Sequence, residues 1–182
     1  MLTEETIEVR NKFHKDYLKL IIDKYLGLIK NILVEKKEVP AEDLEISCEL
    51  IGCTNPDGKD GSTLTFEIWV KNLKSQKHNK MAKFKLQDTP GCCGSVVYTQ
   101  VVVLQPWEIF NEPNLYKLGI GTLLHDFALE AAKKLGYSLV TATSNEYNGF
   151  QNRIFIKKEW AKVETFKNER SGRTVFVWHK NI

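Results

Sequence analysis

Tyr116-Lys117-Leu118-Gly119-Ile120-Gly121-Thr122 runs into Leu123-Leu124-His125-Asp126-Phe127-Ala128-Leu129-Glu130-Ala131-Ala132-Lys133-Lys134-Leu135-Gly136, and the reading of this stretch decides the fold. Ile120, Leu123, Leu124, Phe127, Ala128, Ala131 and Leu135 recur at three- and four-residue intervals, which predicts an amphipathic helix that Gly136 ends. His125, Asp126, Glu130, Lys133 and Lys134 fall off that stripe, so His125 is expected on the surface. Ahead of the glycines stands the apolar run Val96-Val97-Tyr98-Thr99-Gln100-Val101-Val102-Val103-Leu104. Its β-branched residues, uninterrupted by charge, predict a strand buried on both faces. Residues 138–143 predict another strand. Strand, glycine turn, helix and strand make a βαβ unit. Its glycines open the helix where unpaired N–H groups and the positive dipole end attract an anion such as a phosphate.

The chain has 182 residues, 42% of them hydrophobic, enough for one core and too few for a second independent one. A single domain over residues 1–182 is expected, with a helical part (1–38), a meander (43–104) and a half carrying the glycine turn and a terminal hairpin (105–182). The formal charge of +3 is too small to name a partner. Lys71, Lys74, Lys77, Lys80, Lys83 and Lys85 follow one another without an acidic residue among them, as a solvated basic segment or a contact for phosphates or an acidic substrate. No window is long and apolar enough to span a membrane, and the first residues lack a basic region followed by an apolar run. A cytoplasmic location is expected.

Four cysteines, Cys48, Cys53, Cys92 and Cys93, lack the two-residue gap that lets paired thiolates converge on zinc, so no metal site is expected and reduced thiols are. Near the start, Phe13, Tyr17, Leu20, Ile21, Tyr25, Leu28 and Ile32 form an apolar helical stripe that Gly27 is expected to interrupt and Pro40 to follow. Leu44, Ile46, Cys48 and Leu50 alternate, as do Leu64, Phe66, Ile68 and Val70, with the turn residues of 55–61 between them. Ala82, Phe84 and Leu86 give a third alternation. Two prolines in 105–115 make that segment a loop, whose Trp107, Glu108, Phe110 and Glu112 could line a cleft or pin the loop to the core. Asn148 opens a second helical stretch, and residues 160–167 and 173–180 alternate around the turn 168–172.

Neither familiar nucleotide motif fits the glycines. A dinucleotide fingerprint requires a third glycine where Leu124 stands, and a phosphate-binding P-loop ends in Gly-Lys-Ser/Thr where Gly121 is followed by Thr122 and Leu123. The order of elements and the stretch Tyr116 to Gly121 instead resemble the GNAT superfamily of N-acetyltransferases, whose pyrophosphate signature is Gln/Arg-x-x-Gly-x-Gly/Ala. Asn148, Gln151, Ile154-Phe155 and Glu159-Trp160 fall at the offsets of a later family segment. The likeness is best over residues 96–180. Tyr116 departs from Gln/Arg, and Phe155 stands where many members carry a tyrosine that protonates the leaving thiolate.

The resemblance implies a mixed, mostly antiparallel α/β sheet flanked by helices, and transfer of an acetyl group from acetyl-CoA to an amine within a ternary complex. By the same resemblance Lys117, Leu118, Gly119, Ile120, Gly121 and Thr122 would hold the pyrophosphate. Val102, Val103 and Leu104 would orient the pantetheine arm, and Asn148 and Phe155 would lie along the cofactor. Glu108 and Glu146 are candidate bases and Tyr147 a candidate acid. The acceptor is a small-molecule or protein amine, with no membrane partner, and a homodimer is left open. Two alternatives remain: a GNAT-like module that binds acyl-CoA or a partner without turnover, and a transferase directed to nucleic acid by the lysines of 71–85 and the basic carboxy-terminal end.

Overall fold

The computed structural model describes residues 13–54, 62–88, 95–104 and 117–182, without the side chains of 53 and 54. In chain order come α1 (Lys19–Lys37), a 3-10 turn (Ala41–Asp43), β1 (Leu44–Thr54), β2 (Ser62–Asn72), β3 (Lys77–Asp88) and β4 (Val96–Val103). They are followed by α2 (Ile120–Lys134), β5 (Leu139–Asn145), α3 (Gly149–Lys157), β6 (Ala161–Lys167) and β7 (Thr174–Asn181). One seven-stranded sheet has the order β1-β2-β3-β4-β5-β7-β6, and every neighbouring pair is antiparallel except β4 with β5. The mixed sheet, the meander and the βαβ unit around the glycine turn are those read from the sequence.

Alternation decides which face carries the core. Leu64, Phe66, Ile68 and Val70 of β2 are buried, as are Phe84 and Leu86 of β3. The rings of Phe66 and Phe84 stack at 4.3 Å, and Phe127 of α2 meets both edge-on at 5.5 and 4.8 Å. Tyr25 of α1 then stacks on Phe127 at 4.7 Å. Each such pair contributes roughly 0.5–1.5 kcal/mol beyond its buried area, so four rings tie two helices to two strands. The Tyr25 hydroxyl donates to Glu130 at 2.9 Å, and Lys24 reaches the same carboxylate at 2.6 Å. That lysine holds the Glu130 carboxyl below its usual range, while burial first, and Glu130 second, push the Tyr25 phenol up.

Three sequence expectations change here. The buried side of α1 is Leu18, Ile22, Tyr25, Ile29 and Leu33, whereas Leu20 is 85% exposed and Phe13 64%. This segment carries apolar residues on most of its circumference, and spacing alone cannot choose between two stripes that share Tyr25. Gly27 does not divide the helix, because it lies on the exposed side and the buried residues around it hold its turn in place. The run at β4 is buried on one face, not two: Val97 and Thr99 are buried while Gln100 is exposed. The β-branched residues on the outer face are half-covered by neighbouring strands, and the described helices lie on the other face.

His125 is the fourth correction, since it is buried with only 3% exposure. The helix stripe predicts one covered side, but Phe155 and Trp160 cover a second, their ring centroids lying 5.1 and 6.2 Å from the imidazole. Its Nδ1 has no hydrogen-bond partner among the described residues. Burial lowers its pKa to about 4, with Lys158 adding to that shift and Asp126 opposing it. From pH 6.5 down to about 4 the unfolded chain binds a proton that the folded form refuses, so stability falls as the pH drops through this window. Between pH 6.5 and pH 4.5, urea unfolding should cost the wild type about 2 kcal/mol more than a His125→Phe variant. Equal losses in the two proteins would mean that His125 does not carry this pH dependence.

Candidate functional site

The sheet opens at its middle. Strands β4 and β5 pair only at Val96↔Leu139, Val97↔Val140 and Tyr98↔Thr141, yet β4 continues to Val103 and β5 to Asn145. On their outer edges both remain paired, β4 with β3 as far as Val103 and β5 with β7 as far as Asn145. The two halves therefore part beyond Tyr98, whose hydroxyl meets the Thr143 hydroxyl at 3.0 Å near the vertex. The Leu104 N–H donates to Met81 O at 2.8 Å on the β3 side. Because successive N–H groups of a strand point to opposite edges, those of Val103 and Val101 turn toward the gap.

The glycine turn stands at the open end of this gap. Gly119 is the N-cap of α2 with φ 85°, and Lys117 has φ 67°. A side chain in that left-handed region costs roughly 1–2 kcal/mol, so Gly119 is required by its backbone and Lys117 is held under strain. A Cβ at Gly121 would make ordinary van der Waals contact with Phe150 at 3.5 Å and Ile154 and Val103 at 3.7 Å, so a methyl group fits, while a longer side chain would have to displace these neighbours or enter the space at the helix start. Among the described residues no side chain caps the α2 N-terminus, and its first N–H groups and positive dipole end suit an anion.

Between this turn and α3 lies a pocket of about 370 Å³. Lys117, Gly119 and Thr122 form one wall, and Phe150, Arg153, Ile154 and Lys157 form the other. Among the described residues no carboxylate lines it. A second hollow, about 460 Å³, lies between α1 and β1 against Asp23, Glu42 and Glu45 and is distant in the chain from the turn.

The β5–α3 junction is fixed by polar contacts. The Trp178 indole N–H donates to Ser144 Oγ at 2.7 Å, Ser144 donates to Asn152, and Asn152 Nδ2 reaches Asn145 O at 3.1 Å. Asn148 caps α3, its side chain accepting the Gln151 N–H at 3.4 Å. Glu146 Oε1 accepts the Thr174 N–H at 3.3 Å, and the Arg173 guanidinium sits 5.7 Å from the ring of Tyr147, which is 77% exposed. Both residues thus follow β5 at the β7 side of the gap.

Of the residues singled out in the sequence, the structure brings Lys117, Gly119 and Thr122 together on the pocket wall and packs Gly121 and Val103 behind it. Ile120 is buried beneath the turn. Phe155 is wholly buried and lies outside the pocket lining, packed against Trp160 at 4.8 Å and Trp178 at 5.2 Å. Glu108, with Tyr116, Trp107, Phe110 and Glu112, lies outside the described residues, as do Cys92 and Cys93. Cys48 is buried with a free thiol that burial pushes up to about 12. Sequence reasoning missed Phe150 and Ile154 as pocket residues and grouped Arg153 and Lys157 with a general basic end. Their three- and four-residue spacing behind Asn148 was the available signal.

No protein-family model matches the sequence, and no curated protein matches it. Solved structures do match. A protein assigned as a phosphinothricin N-acetyltransferase aligns over 76% of this chain and 99% of its own, with a TM-score of 0.54 and 11% identity. A GNAT-family acetyltransferase from Bacillus anthracis (64% of this chain, 65% of its own, TM-score 0.48, 11% identity) and the spermidine/spermine N-acetyltransferase of Vibrio cholerae (65% and 65%, 0.48, 11%) also align. At a TM-score of 0.54 the chain shares the fold of the protein assigned as a phosphinothricin N-acetyltransferase. Among the described residues no helix is long and apolar enough to cross a membrane.

The burial of Phe155 sets a prediction. Phe155→Tyr introduces a hydroxyl into a packed aromatic cluster, which should lower unfolding free energy by roughly 1–3 kcal/mol in urea titrations. A variant as stable as the wild type would show that the hydroxyl finds a partner there.

Proposed function

We propose that this protein is an acetyl-CoA-dependent N-acetyltransferase. The single observation that carries the reading is the split between β4 and β5 with a basic helix start at its open end that has neither a side-chain cap nor a carboxylate beside it among the described residues. An extended acyl-pantetheine arm can run along the free edge of β4 and accept from the N–H groups of Val101 and Val103, while its pyrophosphate meets the N–H groups of residues 118–122. The GNAT fold supports the same placement.

The chemistry then follows from the groups at the gap. An aliphatic amine has a pKa near ~10, so its nitrogen attacks only after giving up a proton. Glu146 is the described candidate for that proton: one carboxylate oxygen holds Thr174, and the other retains free lone pairs. Glu108 is the other candidate base from the sequence. As the amine nitrogen bonds to the acyl carbon, the backbone N–H groups facing the gap stabilise charge on the carbonyl oxygen, and the carbon–sulfur bond then breaks. A CoA thiol has an acidity close to that of cysteine, pKa about 8.5, so the thiolate leaves with little help, and Tyr147 is the candidate to protonate it. The acceptor is an amine of a small molecule or a protein.

Saturating acetyl-CoA, at about 100 times its dissociation constant, should stabilise the fold by about 2.7 kcal/mol, read as a concentration-dependent rise in melting temperature. Gly121→Glu, whose side chain starts against Phe150 and Ile154, should weaken that binding by about tenfold or more. Thiol release upon addition of an amine panel completes the test. Binding without thiol release across the panel would make the protein an acyl-CoA-binding module, and a Gly121→Glu variant with unchanged affinity would reject the site.

A further inference from the structure

The positive charge at the pocket exceeds what a pyrophosphate requires. Lys117 lies on the turn side, and Arg153 and Lys157 lie four residues apart on the exposed flank of α3. Like charges at that spacing oppose each other and weaken a helix. Among the described residues none of the three has an acidic partner and no carboxylate lines their pocket. Their neighbour Lys158, the C-cap of that helix, is by contrast paired with Asp126 at 2.7 Å. Charge on α3 is thus balanced away from the pocket and left unbalanced facing it.

A pyrophosphate diester presents two negative charges, which the uncapped start of α2 and Lys117 suit by position. Arg153 and Lys157 stand on the opposite wall, where a separate anionic group would meet them. Resting on the acyl-CoA reading above, we infer that Arg153 and Lys157 form a specificity subsite for the ribose 3′-phosphate of CoA. The guanidinium of Arg153 offers paired donors that match phosphate oxygens, and Lys157 adds a point charge one turn away. The donor is then a free CoA thioester. A thioester on the phosphopantetheine arm of a carrier protein has a single phosphodiester and nothing to place against these side chains.

The test is calorimetric titration of the full chain with CoA and with 3′-dephospho-CoA, repeated on an Arg153→Gln/Lys157→Gln double variant. Both substitutions lie on exposed positions, so a matching melting temperature verifies the fold. The wild type should bind CoA about tenfold more tightly than dephospho-CoA, and the double variant should hold the two within about twofold, with dephospho-CoA affinity little changed. Equal affinities in the wild type, or a preference that survives in the double variant, would overturn the subsite while leaving the acyl-CoA reading in place. Binding of neither ligand would reject that reading, and the subsite with it.

Discussion

Three backbone pairs, Val96↔Leu139, Val97↔Val140 and Tyr98↔Thr141, join the two parts of this sheet, and everything that resembles a binding site follows from their stopping there. Unpaired strand edges are costly unless something else meets their N–H and C=O groups. Here each strand is secured on its far edge, β4 by β3 and β5 by β7, so the interior edges can separate without either strand being lost. The aromatic cluster of Phe66, Phe84, Phe127 and Tyr25 holds the meander side against α1 and α2. The Ser144, Asn152 and Trp178 contacts hold the other side to α3. The gap lies between two anchored halves.

The glycine turn is placed by the same arrangement. Strand β4 points its end at the start of α2, where Gly121 lies beside Val103 of β4 and Phe150 and Ile154 of α3. An extended, partly polar ligand can run from free strand edge to free helix start while meeting backbone donors that have no other described side-chain partner. The electrostatics agree, because the pocket beside the helix start has lysine and arginine on its walls and, among the described residues, no acid.

How far this was legible in the sequence differs from element to element. The alternation of Leu64, Phe66, Ile68 and Val70 and the spacing of Leu124, Phe127, Ala128 and Ala131 are strong periodic signals, and those faces are buried as read. Asn148 capping α3 and Gly136 ending the α2 segment are local chemistry that a single stretch of residues reveals. Coverage by distant residues is another matter. His125 lies off the α2 stripe and is buried only because Phe155 and Trp160 return to it from later in the chain. In α1, two overlapping apolar stripes left the choice to tertiary packing. The length of the β4–β5 ladder leaves no trace in residue type, so the gap itself became visible only in three dimensions, and with it the meeting of Arg153 and Lys157 with Lys117.

On the function proposed above, the gap between β4 and β5 and the glycine turn at its open end form one continuous acyl-CoA site. A crystal structure of the full chain with acetyl-CoA tests this most directly. Pyrophosphate oxygens should lie within about 3 Å of backbone nitrogens among residues 118–122, with the pantetheine amides bonded to the edge of β4 that carries Val101 and Val103. Acetyl-CoA bound elsewhere, as in the hollow between α1 and β1, or a β4–β5 ladder zipped closed beyond Tyr98, would contradict it.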